Sequence, residues 1–160
     1  GRVELGPRAL GNRSILADPR EAAMRDRVNA VIKEREPFRP FAPAVGASRV
    51  GEWFEADRPL PFMNVVLPVR PERRASLGAV THVDGTARIQ TVDPAANPAF
   101  HVLLEAFGRR TGVPVLLNTS FNLQGEPIVC TPADAVRTYF SSGLDALALG
   151  PFLLRKVAPA

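Results

Sequence analysis

The apolar run Val113-Pro114-Val115-Leu116-Leu117 stops abruptly at Asn118-Thr119-Ser120-Phe121-Asn122, and the chain then turns through Gly125. Such a run reads as a strand, and one that ends in amide and hydroxyl side chains presents polar groups at the edge of a sheet. Ligands of open α/β sheets sit there, beyond the carboxyl ends of strands. The rest of the chain supplies the other elements. Asp18-Pro19-Arg20-Glu21 predicts a helix start by side-chain capping. Met24, Val28, Val31 and Ile32 give that helix an apolar stripe, and Pro37, Pro40 and Pro43 require it to end near Arg35. Asn97-Pro98 and Thr131-Pro132 open two more helices, stopped by Gly112 and Gly143. The first should bury Phe100, Leu103, Leu104 and Phe107; the second, Val136, Tyr139 and Phe140.

Strands are expected over 62–69, 79–83, 86–92, 113–118, 146–149 and 152–155. Interleaved with helices, they predict an α/β or α+β sheet domain over 1–160. Asp84-Gly85 predicts a two-residue hairpin turn that pairs Val83 with Thr86. Arg88 then falls on a polar face with Gln90, and His82 on an apolar face as a satisfied core residue. Residues 68–76, with three arginines, read as an exposed loop able to act as a lid. Trp53-Phe54 reads as a buried pair.

A chain of 160 residues with 46% hydrophobic and 22% charged residues is a globular domain able to bury about 70% of its unfolded surface. No apolar run approaches the roughly 20 residues of a membrane helix, and the expectation is a cytoplasmic protein. The start at Gly1-Arg2 reads as part of a longer protein. Cys130 stands alone, which rules out an intrachain disulfide and reads as a small buried hydrophobe. His82 and His101 are too few for a histidine-built metal site. The two glycosylation patterns, at Asn12 and Asn118, read as chance matches. Basic charge comes from 18 arginines and only Lys33 and Lys156, interspersed with acidic residues to a net +4. That spacing does not favour nucleic acid, whose binders cluster their cations.

The cations that matter lie near glycine, proline and amides. Gly6-Pro7-Arg8-Ala9-Leu10-Gly11-Asn12-Arg13-Ser14 can bring backbone amides and a guanidinium to an anion. Lys33, Arg35 and Arg39 add charge from a second segment, although the dipole of the expected helix explains Lys33 and Arg35 by itself. Arg88 adds a third cationic segment. Together with the neutral donors of 118–122, these groups suit a polyanion such as a nucleotide phosphate.

Four ordered stretches carry a family resemblance: residues 6–15, 35–43 (Arg35-Glu36-Pro37-Phe38-Arg39-Pro40-Phe41-Ala42-Pro43), 83–88 (Val83-Asp84-Gly85-Thr86-Ala87-Arg88) and 117–122. They resemble the carboxy-terminal domain of the bacterial O-carbamoyltransferases, which include enzymes of antibiotic and nodulation-factor biosynthesis. The resemblance implies a YrdC-like fold, a twisted mixed sheet with flanking helices around a large basic concave cavity. It also implies a reaction of carbamoyl phosphate with ATP, as its magnesium complex, to give carbamoyl-adenylate and pyrophosphate. The final transfer to a hydroxyl acceptor would fall to an amino-terminal, actin-like domain. By this resemblance Arg8, Lys33, Arg39, Arg88 and Ser120 are phosphate and carbamoyl ligands, with Lys33, Arg39 and Arg88 serving catalysis. Arg35 pairs with Lys33 and Asn122 with Ser120 in the family's recurring motifs. Asn118 and Asn122 would hydrogen-bond the carbamoyl group or nucleotide. No protein ligand for a metal stands out. The alternative is an RNA-binding module using the same basic cavity.

Overall fold

The computed structural model describes residues 3–33 and 40–156, without the side chains of Val31 and Lys33. In chain order the elements begin β1 (Ser14–Ala17), α1 (Ala22–Val28), β2 (Ala42–Gly46), α2 (Val50–Trp53), β3 (Val66–Pro68), β4 (Thr86–Arg88) and β5 (Gln90–Val92). They continue α3 (Pro98–Thr111), β6 (Val115–Ser120), α4 (Pro132–Phe140), β7 (Ala146–Leu149) and β8 (Phe152–Arg155). A π-helical turn, Asn29–Lys33, follows α1. This is the expected mixed α/β architecture.

Four strands lie side by side in the order β1-β6-β2-β5. β6 runs antiparallel to both neighbours, with Asn118 opposite Leu16 on one side and Ala42 on the other. β2 and β5 are parallel, with Ala44 opposite Gln90. Side chains alternate across this sheet. On one face Ala44, Val92 and Leu116 form a core with Phe100 and Leu104 of α3. On the other, Ile15, Phe41, Val45, Val115 and Leu117 join the larger core, which includes Trp53, Phe54, Leu77, Ile89 and Tyr139. The apolar run before Asn118 is therefore a central strand buried on both faces. Pro43 is tolerated in β2 because pairing with β5 begins only at Ala44.

Both proline-led caps formed as expected. The Asn97 side chain accepts from the Phe100 amide, and Gly112 closes α3 at φ +76°. Thr131 and Asp134 form a reciprocal capping box on α4. Two apolar assignments on these helices need correction: Leu103 is 46% exposed and Phe140 59% exposed. Helix α1 begins later than expected, at Ala22, with Glu21 in the cap position and no side-chain cap. Asp18 is diverted, because its carboxylate accepts from the Arg20 backbone amide and pairs with the same residue's guanidinium at 2.7 Å.

The expected 86–92 strand is two strands. It breaks at Ile89, so that β4 pairs with β3 while β5 joins the main sheet. The Asp84-Gly85 turn is one residue longer than expected. The His82 amide donates to Thr86 O, the Gly85 amide donates to His82 O, and Gly85 sits at φ +81°. Residues 79–83 consequently form turns rather than a strand. Residues 71–76 form a 3-10 helix, not a loose lid. Arg70 Nε donates to Gly51 O at 2.6 Å, Arg74 Nε donates to Val69 O, and the Arg73 guanidinium lies 4.7 Å from the Trp53 ring centre. Three arginines that looked like a solvated run instead fasten this segment to the core. Trp53 and Phe54 are buried, as expected.

Candidate functional site

A cleft of about 80 Å³ opens where the polar ends of β6 and β4 meet the loop before β1. Arg8, Phe41, Met63, Arg88, Asn118 and Ser120 are among its lining residues. Sequence positions 8, 88, 118 and 120 thus converge from three separate segments. Among the described lining residues there is no carboxylate, imidazole or thiol. Two guanidiniums, two hydroxyl residues (Thr119 and Ser120) and an amide can bind and orient an anion and stabilise charge that develops on it. They do not make an acid–base site.

The N-terminal loop is brought here by defined contacts. Asn118 Nδ2 donates to Ala9 O at 3.2 Å and to Gln90 Oε1 at 2.7 Å, while Gln90 Nε2 donates to Leu10 O at 2.8 Å. Asn118 and Gln90 belong to β6 and β5, which are separated by β2. They reach each other over Ala42 and Ala44, both fully buried, and a larger side chain at either position would fill that path. Gly11 completes the seat. At φ +118° it approaches α3 so closely that a Cβ would lie 2.3 Å from the Phe100 ring. Asn12 ties the same loop to Glu4 and to the Asn97 amide. The result holds Arg8, itself exposed, at the mouth of the cleft.

Ser120 Oγ donates to Asn122 Oδ1 at 2.6 Å, and Asn122 Nδ2 donates to the carbonyls of Leu123 and Glu126. Asn122 thereby orients the serine and holds the following turn, and it is not among the residues that line the cleft. Lys33, by its side chain, and Arg35 and Arg39 entirely, lie outside the described residues. Gln90 and Met63 were not singled out from sequence. From sequence the only signal at Gln90 was its place on the polar face of the expected 86–92 strand, because the break that puts it at the head of β5 was not visible. Met63, buried at φ +52°, had none.

His82 faces Thr86 rather than an apolar layer. Thr86 Oγ1 donates to Asp84 Oδ1 at 2.7 Å, so the 2.9 Å contact between Thr86 Oγ1 and His82 Nδ1 requires the imidazole to carry its proton on Nδ1. Burial pushes the His82 pKa below its ordinary value, against the pull of Asp84. The expected satisfied core histidine is instead half-buried, with Nε2 buried and without a partner. Cys130 is exposed rather than buried. It borders a wider groove of about 580 Å³ between β1, α3 and the β7–β8 hairpin, whose walls include Leu16, Leu103, Leu147 and Leu153. Asn118 is 1% exposed in the middle of the sheet, which leaves its glycosylation pattern inaccessible. Among the described residues no group of three or more His, Cys, Asp or Glu is placed to hold a metal ion, and no helix is long and apolar enough to cross a membrane.

The sequence model of the family described as carbamoyltransferase C-terminus matches residues 1–156. The nodulation protein NolO of Bradyrhizobium diazoefficiens is 56% identical over 98% of this chain and 29% of its own length. The nodulation protein NolNO of Sinorhizobium fredii is 57% identical over 98% of the chain and 23% of its own length. A 3'-hydroxymethylcephem-O-carbamoyltransferase of Amycolatopsis lactamdurans is 46% identical over 94% of the chain and 28% of its own length. The chain therefore spans less than a third of each of these relatives.

Proposed function

The chain belongs to the carbamoyltransferase C-terminal family, and from that premise we propose that it binds ATP and carbamoyl phosphate and forms carbamoyl-adenylate. The observation that carries this reading is the convergence of Arg8, Arg88, Asn118 and Ser120 on one polar cleft. Carbamoyl phosphate and water give carbamate and inorganic phosphate. A carbamate oxygen then attacks the α-phosphorus of ATP, and the bond to the bridging oxygen breaks to release pyrophosphate. Neither step needs a nucleophile from the protein. Both need phosphate charge to be held and reactants to be aligned, which fixed guanidiniums and hydrogen-bond donors supply. Lys33, Arg35 and Arg39 join this set by the family motifs alone, and Asn122 joins it by orienting Ser120. Magnesium enters as part of the nucleotide substrate, and the site would lie in the cytoplasm, with its substrates. Transfer of the carbamoyl group to a hydroxyl is assigned to the remainder of a longer protein, as the lengths of the relatives suggest.

The test is exchange of labelled pyrophosphate into ATP. Exchange that requires carbamoyl phosphate supports the proposal. Its absence from both the chain and a longer protein that contains it, with RNA bound instead at physiological salt, would replace the adenylation reading by the nucleic-acid one.

A further inference from the structure

Away from the cleft, one edge of the main sheet stands open beside the groove of about 580 Å³. β1 is an end strand, with β6 as its neighbour among the described residues. The Phe121 amide donates to Arg13 O, so Arg13 and Phe121 are a hydrogen-bonded pair. Alternation along the antiparallel ladder then turns the backbone groups of Ile15 and Ala17 toward β6 and those of Ser14 and Leu16 out of the sheet. Across the groove, β7 pairs with β8 by one edge. Residues 14–16 and 146–149 line the groove consecutively. Side chains of a strand alternate between its faces, so a wall of consecutive residues is a strand edge rather than a face. A second cavity, of about 150 Å³, continues the space along β1 past Ala17 to residues 143–145.

Two strand edges with a gap between them define a slot for one more strand. β1, Ser-Ile-Leu-Ala, has neither the charge nor the proline that guards a natural sheet edge. β7 and β8, Ala-Leu-Ala-Leu and Phe-Leu-Leu-Arg, have the composition of strands covered on both faces, yet Phe152 is 68% and Leu153 61% exposed. A two-stranded hairpin has little stability standing alone. We propose that the slot takes an extended apolar segment from the part of a longer protein that precedes residue 1, and that this segment pairs with β1 and joins it to β7. The matching family is a carboxyl-terminal one, and the chain covers less than a third of each relative described above. The first described residues lie at the mouth of the groove: Asn12, one of its lining residues, donates through Nδ2 to Glu4 Oε2 at 2.9 Å. A preceding segment thus starts within a few residues of the slot. Its backbone satisfies Ser14 and Leu16, and its alternate side chains cover Leu103 and Leu153.

Residue-resolved hydrogen exchange on a longer protein that contains this chain tests the proposal. On an open edge, protection alternates along β1, with Ser14 and Leu16 fast and Ile15 and Ala17 slow. With the slot filled, Ser14 and Leu16 should exchange within about tenfold of Ile15 and Ala17 after correction for intrinsic rates. Exchange faster than that would overturn the proposal, and the measurement needs no variant. A photo-cross-link identifies the occupant. Ala148→benzoylphenylalanine, at an exposed position in the groove, is irradiated in the same longer protein and the linked peptides are sequenced. A link in the monomer band to a stretch ahead of residue 1 supports the proposal. Links only to a second copy or to the groove's own walls would overturn it. Neither readout involves ATP or carbamoyl phosphate, so the outcome is separate from that of the adenylation reading.

Discussion

At the scale of single residues, the local chemistry is set by which neighbour satisfies each polar group. Asp84 is the clearest case. Its carboxylate accepts from the Thr86 hydroxyl and backbone amide, which lowers its pKa and leaves Thr86 Oγ1 to accept from His82. The consequence for stability follows from the sign of the His82 shift. Burial lowers its folded pKa, so below the unfolded value of about 6.5 the unfolded chain binds more protons than the folded one. Its contribution is complete above that pH and is lost as pH falls toward the folded pKa. The lowered carboxyls of Asp18, Glu52, Asp84 and Asp134 act at lower pH, below their unfolded values of about 4. Thermal denaturation should therefore show two successive losses of Tm on acidification. His82→Asn should erase the upper one, and a unchanged upper limb in that variant would assign it to another group.

Elements were legible where a local rule matched their tertiary role. Asn97-Pro98 and Thr131-Pro132 announce α3 and α4 because the cap side chain and the proline act within one turn. Thr131→Ala should cost about 1 kcal/mol in urea denaturation, because the capping box loses its acceptor. β2 was hidden for the opposite reason. Ala42-Pro43-Ala44-Val45-Gly46 is buried throughout, so it has no polar alternation, and its proline argues against a strand. β1 has no strong β-formers except Ile15 and is set by its register with β6. The break at Ile89 could not be seen either, since 86–92 is strand-like throughout and only the competition between β3 and β2 for partners divides it. In the site, Arg8, Arg88 and the 118–122 motif could be named from the chain, while Gln90 and Met63 emerged only from the sheet order. Gly11→Ala tests how the loop is seated. A Cβ within 2.3 Å of Phe100, on a backbone at φ +118°, should cost roughly 1–3 kcal/mol. Ligand affinity should also fall as Arg8 shifts. Unchanged stability would show that the loop is not held against α3.

At the scale of the whole molecule, the sheet performs two tasks at once. Its covered middle holds β6 rigidly between β1 and β2, and the polar end of that strand carries Asn118 and Ser120 to the cleft. Residues far apart in sequence therefore share a site, and the three arginines of 70–74 fasten a neighbouring segment to the core. On the proposed function, substrate phosphate sits in this cleft. The most direct test is the affinity of MgATP and carbamoyl phosphate for the Arg8→Ala protein, measured alongside its unfolding free energy. Arg8 is exposed, so stability should change by no more than about 0.5 kcal/mol. Binding of at least one of the two ligands should weaken by about 1.5–3 kcal/mol, the range for a hydrogen bond to a charged group. Affinity for both ligands at the wild-type level would contradict the account.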